Sequence, residues 1–314
     1  MGDIKLFQIQ DGTAAELPGS SAPLEKALQT LFEKNLEAFL GVRFLASEFP
    51  TTHGGRMDTL GLDENYYPVI IEYKRNLNEN VINQGLFYLD WLMDHKSDFR
   101  FLTQDKLGNE CADAIEWSAP RLICIAADFT KYDLHAVKQM GRNIELIRYR
   151  RFGDSLIMLD LLSSVSTNGS VHPTSLSTPL SSSHAVPADS IKSSAKYKTN
   201  SESLEGAKED LQNLYSDVTT YLLSLGDDVS QKTLRYYFAF KRIKNFACLE
   251  IKPTIDVIKL FLKVNPDTIS LIDGFTRDVR NIGHFGTGDL EVTLRDLSDL
   301  EKAKPLIEKS YENS

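Results

Sequence analysis

Apolar positions recur at helical spacing over residues 24–40 and then give way to short extended runs at 44–48, 57–62 and 69–74. That change of period, from about 3.6 to about 2, marks an amphipathic helix followed by three strands. Val81, Gly85, Leu89 and Leu92 restore the helical spacing, so a second helix is expected over 84–95, with Asn80 near its start as a cap. The unbroken apolar run at 121–126 reads as a buried strand. A helix over 132–140 and closing strands at 144–150 and 156–162 complete an α/β order, a mixed central sheet flanked by helices.

At 163–203 the pattern lapses into Ser with Thr, Pro, Gly and Asn. Such a stretch cannot bury enough apolar surface to fold and reads as a flexible tether, with few contacts expected across it. It divides the chain into 1–162 and 204–314. Beyond it Leu211, Leu214, Tyr215, Val218 and Leu222 predict a helix over 204–225, stopped by Gly226. Strands are expected at 236–240, 246–251 and 258–264, the last with a helical start also open, and a closing helix at 298–311. This half is a smaller α+β module.

The chemistry concentrates at Asp58 and at Glu72-Tyr73-Lys74, on the second and third strands and on either side of the turn-like Asp63-Glu64-Asn65. Alternation puts Glu72 and Lys74 on one face with Ile70, and Val69, Ile71 and Tyr73 on the other. A hairpin pivoting on Asn65 sets Asp58 directly opposite Glu72, where side chains lie roughly 4.5–5.5 Å apart at Cβ. Two carboxylates that close resist joint ionisation, and a bound cation offsets the repulsion. Asp58, Glu72 and the main-chain carbonyl of Tyr73 are hard oxygen donors suited to Mg²⁺ or Mn²⁺. Lys74 is then placed to act on the attacking water and on transition-state charge. An acid-x-Lys triplet is also common on exposed strand edges, and the apolar run leading into Glu72 weighs against that. Gln84 and Tyr88, four apart on a helix, share a face; a solvated glutamine and a core tyrosine are the bland alternative.

Gly55-Arg56-Met57-Asp58, the run from Val69 to Arg75, and Gln84 with Tyr88 resemble the PD-(D/E)xK nuclease superfamily, particularly its NucS-like branch, over residues 24–162. The resemblance implies a restriction-endonuclease-like sheet, metal binding by Asp58 and Glu72, catalysis by Lys74, and cleavage of DNA. It also implies a role near the metal for Gln84, and support of the site or a substrate contact for Tyr88. Arg56 and Arg75 are further candidates for substrate contact. An acid on the first helix often completes such a site; Glu33 is the candidate, with Glu25 and Glu37 as rivals. Met57 stands where the superfamily has proline. The C-terminal half resembles an uncharacterised domain of unknown function found beside nuclease-like domains of this branch.

The net charge of −9 argues mildly against nonspecific coating of nucleic acid, yet a nuclease needs only a locally basic groove. Three separated cysteines indicate neither zinc nor a disulfide framework and imply a reducing, cytoplasmic setting. No apolar run is long enough to span a membrane and no basic-then-apolar leader is visible. Lys241, Arg242 and Lys244 lie among Tyr236, Tyr237, Phe240 and Phe246, a mixture that serves nucleic-acid binding or a half-buried strand. The glycine-rich segment 283–288 offers an anion loop or a tight turn. The reading is a metal-dependent endonuclease with a recognition module, DNA as partner and a homodimer left open. Its alternative is a non-catalytic nucleic-acid-binding or regulatory protein on the same fold.

Overall fold

The computed structural model describes residues 4–22, 25–52, 54–74, 81–165 and 199–314. The N-terminal part runs β1 (Leu6–Gln10), β2 (Thr13–Leu17), β3 (Gly19–Ser20), α1 (Glu25–Lys34), α2 (Leu36–Leu40), β4 (Val42–Pro50), β5 (Arg56–Asp63) and β6 (Pro68–Lys74). It continues through α3 (Val81–Asp94), α4 (Lys96–Leu107), α5 (Asn109–Asp113), β7 (Arg121–Ala126), α6 (Lys131–Gln139), β8 (Asn143–Phe152) and β9 (Leu156–Val165). Strands β4 to β8 lie side by side in the order β4-β5-β6-β7-β8, with β9 and the short β3 both pairing with β8. β6, β7 and β8 are parallel and the other pairs antiparallel, so the sheet is mixed.

Both faces of this sheet are covered, which is why its central strands are apolar without alternation. Leu28 and Phe32 of α1 pack on Ile71, Tyr73 and Ile125. On the other face Leu89 and Leu92 of α3 pack on Ile70 and Cys124. The result is the α/β sandwich that the alternation of elements predicts. The expected first helix breaks at Asn35, whose Nδ2 donates to the Leu31 carbonyl at 2.8 Å, and resumes as α2. The pattern does not predict the charged helix α4, the short α5 and β3, or the β1–β2 hairpin turning on Asp11 and Gly12, both at positive φ.

The C-terminal part comprises α7 (Asn200–Glu205), α8 (Glu209–Ser224), β10 (Ser230–Thr233), β11 (Phe238–Lys241), β12 (Asn245–Lys252), β13 (Val257–Leu262), β14 (Thr276–Asp278), β15 (Leu290–Leu294) and α9 (Leu297–Glu312). Its strands form an antiparallel sheet in the order β10-β11-β12-β13-β15-β14. One face is buried by α8 and α9 through Leu214, Val218, Leu300 and Ile307. The opposite face, with Tyr237, Ala239, Cys248 and Phe261, packs against Tyr67 of the N-terminal part.

Both ends of the Ser-rich stretch are structured, and its middle, 166–198, lies outside the described residues. Ser163 pairs with Leu146 in the β8–β9 ladder. At the other end Thr199 and Glu202 cap α7 reciprocally, and Asn200 exchanges hydrogen bonds with the backbone of β12. The single helix expected over 204–225 is accordingly two helices.

The expectation of few contacts between the halves is overturned. Arg121 donates to Glu145 through Nε at 2.9 Å and Nη2 at 2.8 Å, and to Asp63 through Nη1 at 2.8 Å; Lys241 from the other half donates to Glu145 at 3.2 Å. All four side chains are buried. Burial would raise the Glu145 carboxyl, but Arg121 and then Lys241 hold it down at about 2, while burial and the Arg121 charge push the Lys241 ammonium below its ordinary value. A low-complexity tether shows that its own residues cannot form a core; it says nothing about whether the flanking sheets dock. Among the described residues no helix is long and apolar enough to cross a membrane.

Candidate active site

The β5–β6 ladder pairs Leu62 with Pro68, Gly61 with Val69, Leu60 with Ile70 and Thr59 with Ile71. One further step sets Asp58 against Glu72, and there side chains replace the backbone ladder. Asp58 N–H donates to Glu72 Oε1 at 3.2 Å, and Tyr73 N–H donates to Asp58 Oδ2 at 3.0 Å. Each carboxylate is thus held by the backbone of the strand opposite. Glu72 is fully buried, and its Oε2 has no hydrogen-bond partner among the described residues.

Electrostatics follow from that burial. Desolvation first, and the charge of Asp58 second, push the Glu72 carboxyl up to about 9. Asp58 is also raised by burial, against the Tyr73 N–H and the Lys74 ammonium. Without a cation the pair therefore shares fewer than two negative charges at neutral pH. Lys74, on the same face two residues on, is largely buried and lies 3.4 Å from Glu25 Oε1.

This settles which acid of the first helix faces the carboxylates. Glu33, the candidate, is turned away: its Oε1 accepts from Thr59 Oγ1 at 2.7 Å and from Gln29 Nε2 at 2.9 Å, and Thr59 points to the face opposite Asp58. Glu37 is exposed. Glu25, in the first turn of α1, is the acid beside Lys74. Gln29 escapes sequence reasoning altogether. It is buried and donates to the Asp58 carbonyl at 2.7 Å, tying α1 to β5. Its position one turn after Glu25 was the available signal.

Gln84 and Tyr88 do share a face, joined by a 3.2 Å hydrogen bond from Gln84 Nε2 to the tyrosine hydroxyl. Tyr88 is buried, and its hydroxyl also accepts the Arg56 N–H at 3.1 Å. The pair therefore anchors the entry to β5 two residues before Asp58, and Tyr88 is turned to protein backbone instead of solvent. Gly55 allows this approach: its φ is +98°, and a Cβ there would lie 2.9 Å from the Tyr88 hydroxyl. Arg56 itself is exposed and ion-paired with Glu48. Arg75 and Asn80 lie outside the described residues.

The basic residues of the C-terminal half are already engaged. Lys241 is buried on Glu145, Arg242 donates to Asp228 at 2.7 Å, and Lys244 donates to the Ala38 carbonyl at 3.0 Å. Lys241 is thereby corrected as a substrate-binding candidate, because it is buried at the end of β11 on Glu145, whereas Arg242 and Lys244 lie in the partly exposed turn between β11 and β12. Two N–H groups of the glycine-rich segment are spent internally, that of Phe285 on Glu250 and that of Thr287 on Cys248 Sγ.

Among the described residues no three His, Cys, Asp or Glu side chains converge on one point. Mg²⁺ and Mn²⁺ do not require this, since one or two carboxylates with water and a carbonyl suffice. A buried carboxylate oxygen with no partner, beside a second carboxylate, fits such an ion. Because the ion takes the ionised form, its binding must expel the Glu72 proton below about pH 9. Mn²⁺ affinity is therefore expected to rise by up to about tenfold per pH unit between pH 6 and 8. Calorimetric titration at several pH values checks this, and a pH-independent affinity would refute it.

Comparison with known proteins adds four likenesses. Residues 201–314 match the family described as Domain of unknown function (DUF5655). An uncharacterised protein of Haemophilus influenzae is 28% identical over 313 residues, covering 99% of this chain and 100% of that one. Among solved structures, a repair endonuclease from Pyrococcus abyssi is 19% identical over 41% of this chain and 48% of that one, with a TM-score of 0.26. EndoMS in its apo form is 18% identical over the same shares, with a TM-score of 0.27. The chain thus spans about half the length of these two structures. Superpositions of that quality carry no chemistry with them, and the chemistry is set by the side chains described above.

Proposed function

We propose that the chain is a metal-dependent endonuclease hydrolysing phosphodiester bonds in DNA, the substrate implied by the resemblance of its motif. The observation that carries this is the fully buried Glu72 Oε2, without a hydrogen-bond partner among the described residues, beside Asp58 and with Lys74 on the same face. Asp58, Glu72 and the Tyr73 carbonyl would hold Mg²⁺ or Mn²⁺, which supplies Lewis acidity and a lowered water pKa. Glu25 holds the Lys74 ammonium, and Lys74 orients the attacking water and neutralises charge on the phosphoryl oxygens as it develops. Gln84 and Tyr88 hold the start of β5 in place. Arg56, exposed two residues before Asp58, is available to a backbone phosphate that displaces Glu48.

The test is cleavage of labelled DNA and RNA substrates in Mg²⁺ or Mn²⁺ by wild-type protein beside Lys74→Ala. Turnover of the variant is expected to fall about 10²–10⁴-fold. Its Mn²⁺ affinity should stay close to wild type, because an ammonium is not a ligand. A loss of affinity equal to that of Asp58→Ala would assign Lys74 a structural role.

A further inference from the structure

We propose that the C-terminal sheet is a positioning element for the candidate site, with Asn245 as the residue through which it acts. The inference rests on the nuclease reading for its chemistry, but its geometry is independent of it. Asp58 faces Glu72 only because the β5–β6 hairpin pivots on Asn65, and a slip of one residue would turn one carboxylate to the opposite face. Whatever holds the turn therefore holds the site.

Three consecutive turn residues are gripped from outside the hairpin. Asn65 and Asn245, both buried, form a reciprocal amide pair: Asn245 Nδ2 donates to Asn65 Oδ1 at 2.7 Å, and Asn65 Nδ2 donates to Asn245 Oδ1 at 3.2 Å. The Tyr237 hydroxyl donates to the same Asn65 Oδ1 at 3.0 Å. Glu64 accepts the Asn245 N–H at 2.9 Å and pairs with Lys263. Asp63, whose Oδ1 caps the N–H groups of Asn65 and Tyr67, is held through Arg121, Glu145 and Lys241.

The turn needs such support. Tyr66 sits at φ +63°, a conformation that a side-chain-bearing residue adopts only when its surroundings impose it. A buried amide pair suits the task, because a displaced register parts the two amides and costs each a buried hydrogen bond. A single buried asparagine sets coiled-coil register by the same physics. The span from Asn65 to either carboxylate is seven residues, roughly 23 Å at about 3.3 Å per residue, so Asn245 acts through the strands and not by contact.

Full-length Asn245→Ala is compared with wild type by amide hydrogen exchange and Mn²⁺ titration. The amides of β5 and β6 are expected to exchange at least about tenfold faster while those of β12 and β13 keep their wild-type rates, with Mn²⁺ binding at least about tenfold weaker. Wild-type exchange in β5 and β6 would overturn the proposal, as would equal acceleration in both sheets. Asn65→Ser, which removes the same pair from the other side, gives the comparison if Asn245→Ala does not fold. Wild-type protein that takes up no Mn²⁺ would refute the nuclease reading, and the exchange pattern alone would then decide the role of Asn245.

Discussion

Asp58→Ala and Glu72→Ala are each expected to abolish cleavage, by at least about 10³-fold, while leaving the fold intact. Each removes one of the two carboxylates available to the ion, and neither the Tyr73 carbonyl nor Lys74 can replace it. Glu72→Gln separates this loss from stability. In the metal-free protein the Glu72 carboxyl keeps its proton up to about pH 9, whereas in the unfolded chain it ionises near 4.5. The folded state therefore binds the extra proton between these values, and the wild type loses stability as pH rises through that window. At pH 8 Glu72→Gln is expected to be more stable than wild type by about 1–3 kcal/mol, with the gap closing towards pH 5. Urea unfolding across pH in the presence of a chelator measures this directly. Full cleavage by either alanine variant would end the assignment.

Arg121→Ala should produce the largest loss of stability, about 3–5 kcal/mol, because it strands two buried carboxylates, Asp63 and Glu145, at once. Lys241→Met should cost less, about 1–2 kcal/mol, since the two-point Arg121 contact to Glu145 survives. Chemical denaturation of the full chain ranks the two. Equal and negligible losses would mean that the halves are held by apolar contact around Tyr67, Tyr237 and Phe261, with the ion cluster adding nothing.

Why some features are legible in sequence and others are not is clear from particular residues. The pairing of Asp58 with Glu72 is readable because a hairpin is local: the polar reversal at Asp63-Glu64-Asn65 sets the pivot, and alternation does the rest. β7 is readable because a strand covered on both faces must be apolar throughout. The Asp11-Gly12 turn carries its own local signal, a two-residue pair suited to positive φ at both positions. The helix α4 carried little, since its apolar residues are few and its charges face solvent.

The choice of Glu25 over Glu33 needed the tertiary structure. Both project from α1, and only the angle at which that helix crosses β5 and β6 decides which acid meets Lys74 and which meets Thr59. The same holds for Lys241, Arg242 and Lys244, whose charge and spacing are equally those of a phosphate groove. A sequence states that a side chain is cationic, but its partner is chosen by chain segments nearly a hundred residues or more away, as Glu145 and Ala38 are for Lys241 and Lys244. By itself the sequence determined most strands of the N-terminal sheet and the hairpin register, because these depend on neighbours along the chain. The docking of the two sheets, and with it the hold on the Asn65 turn, was decided only by the fold, because complementarity between distant surfaces leaves no periodic trace in either one.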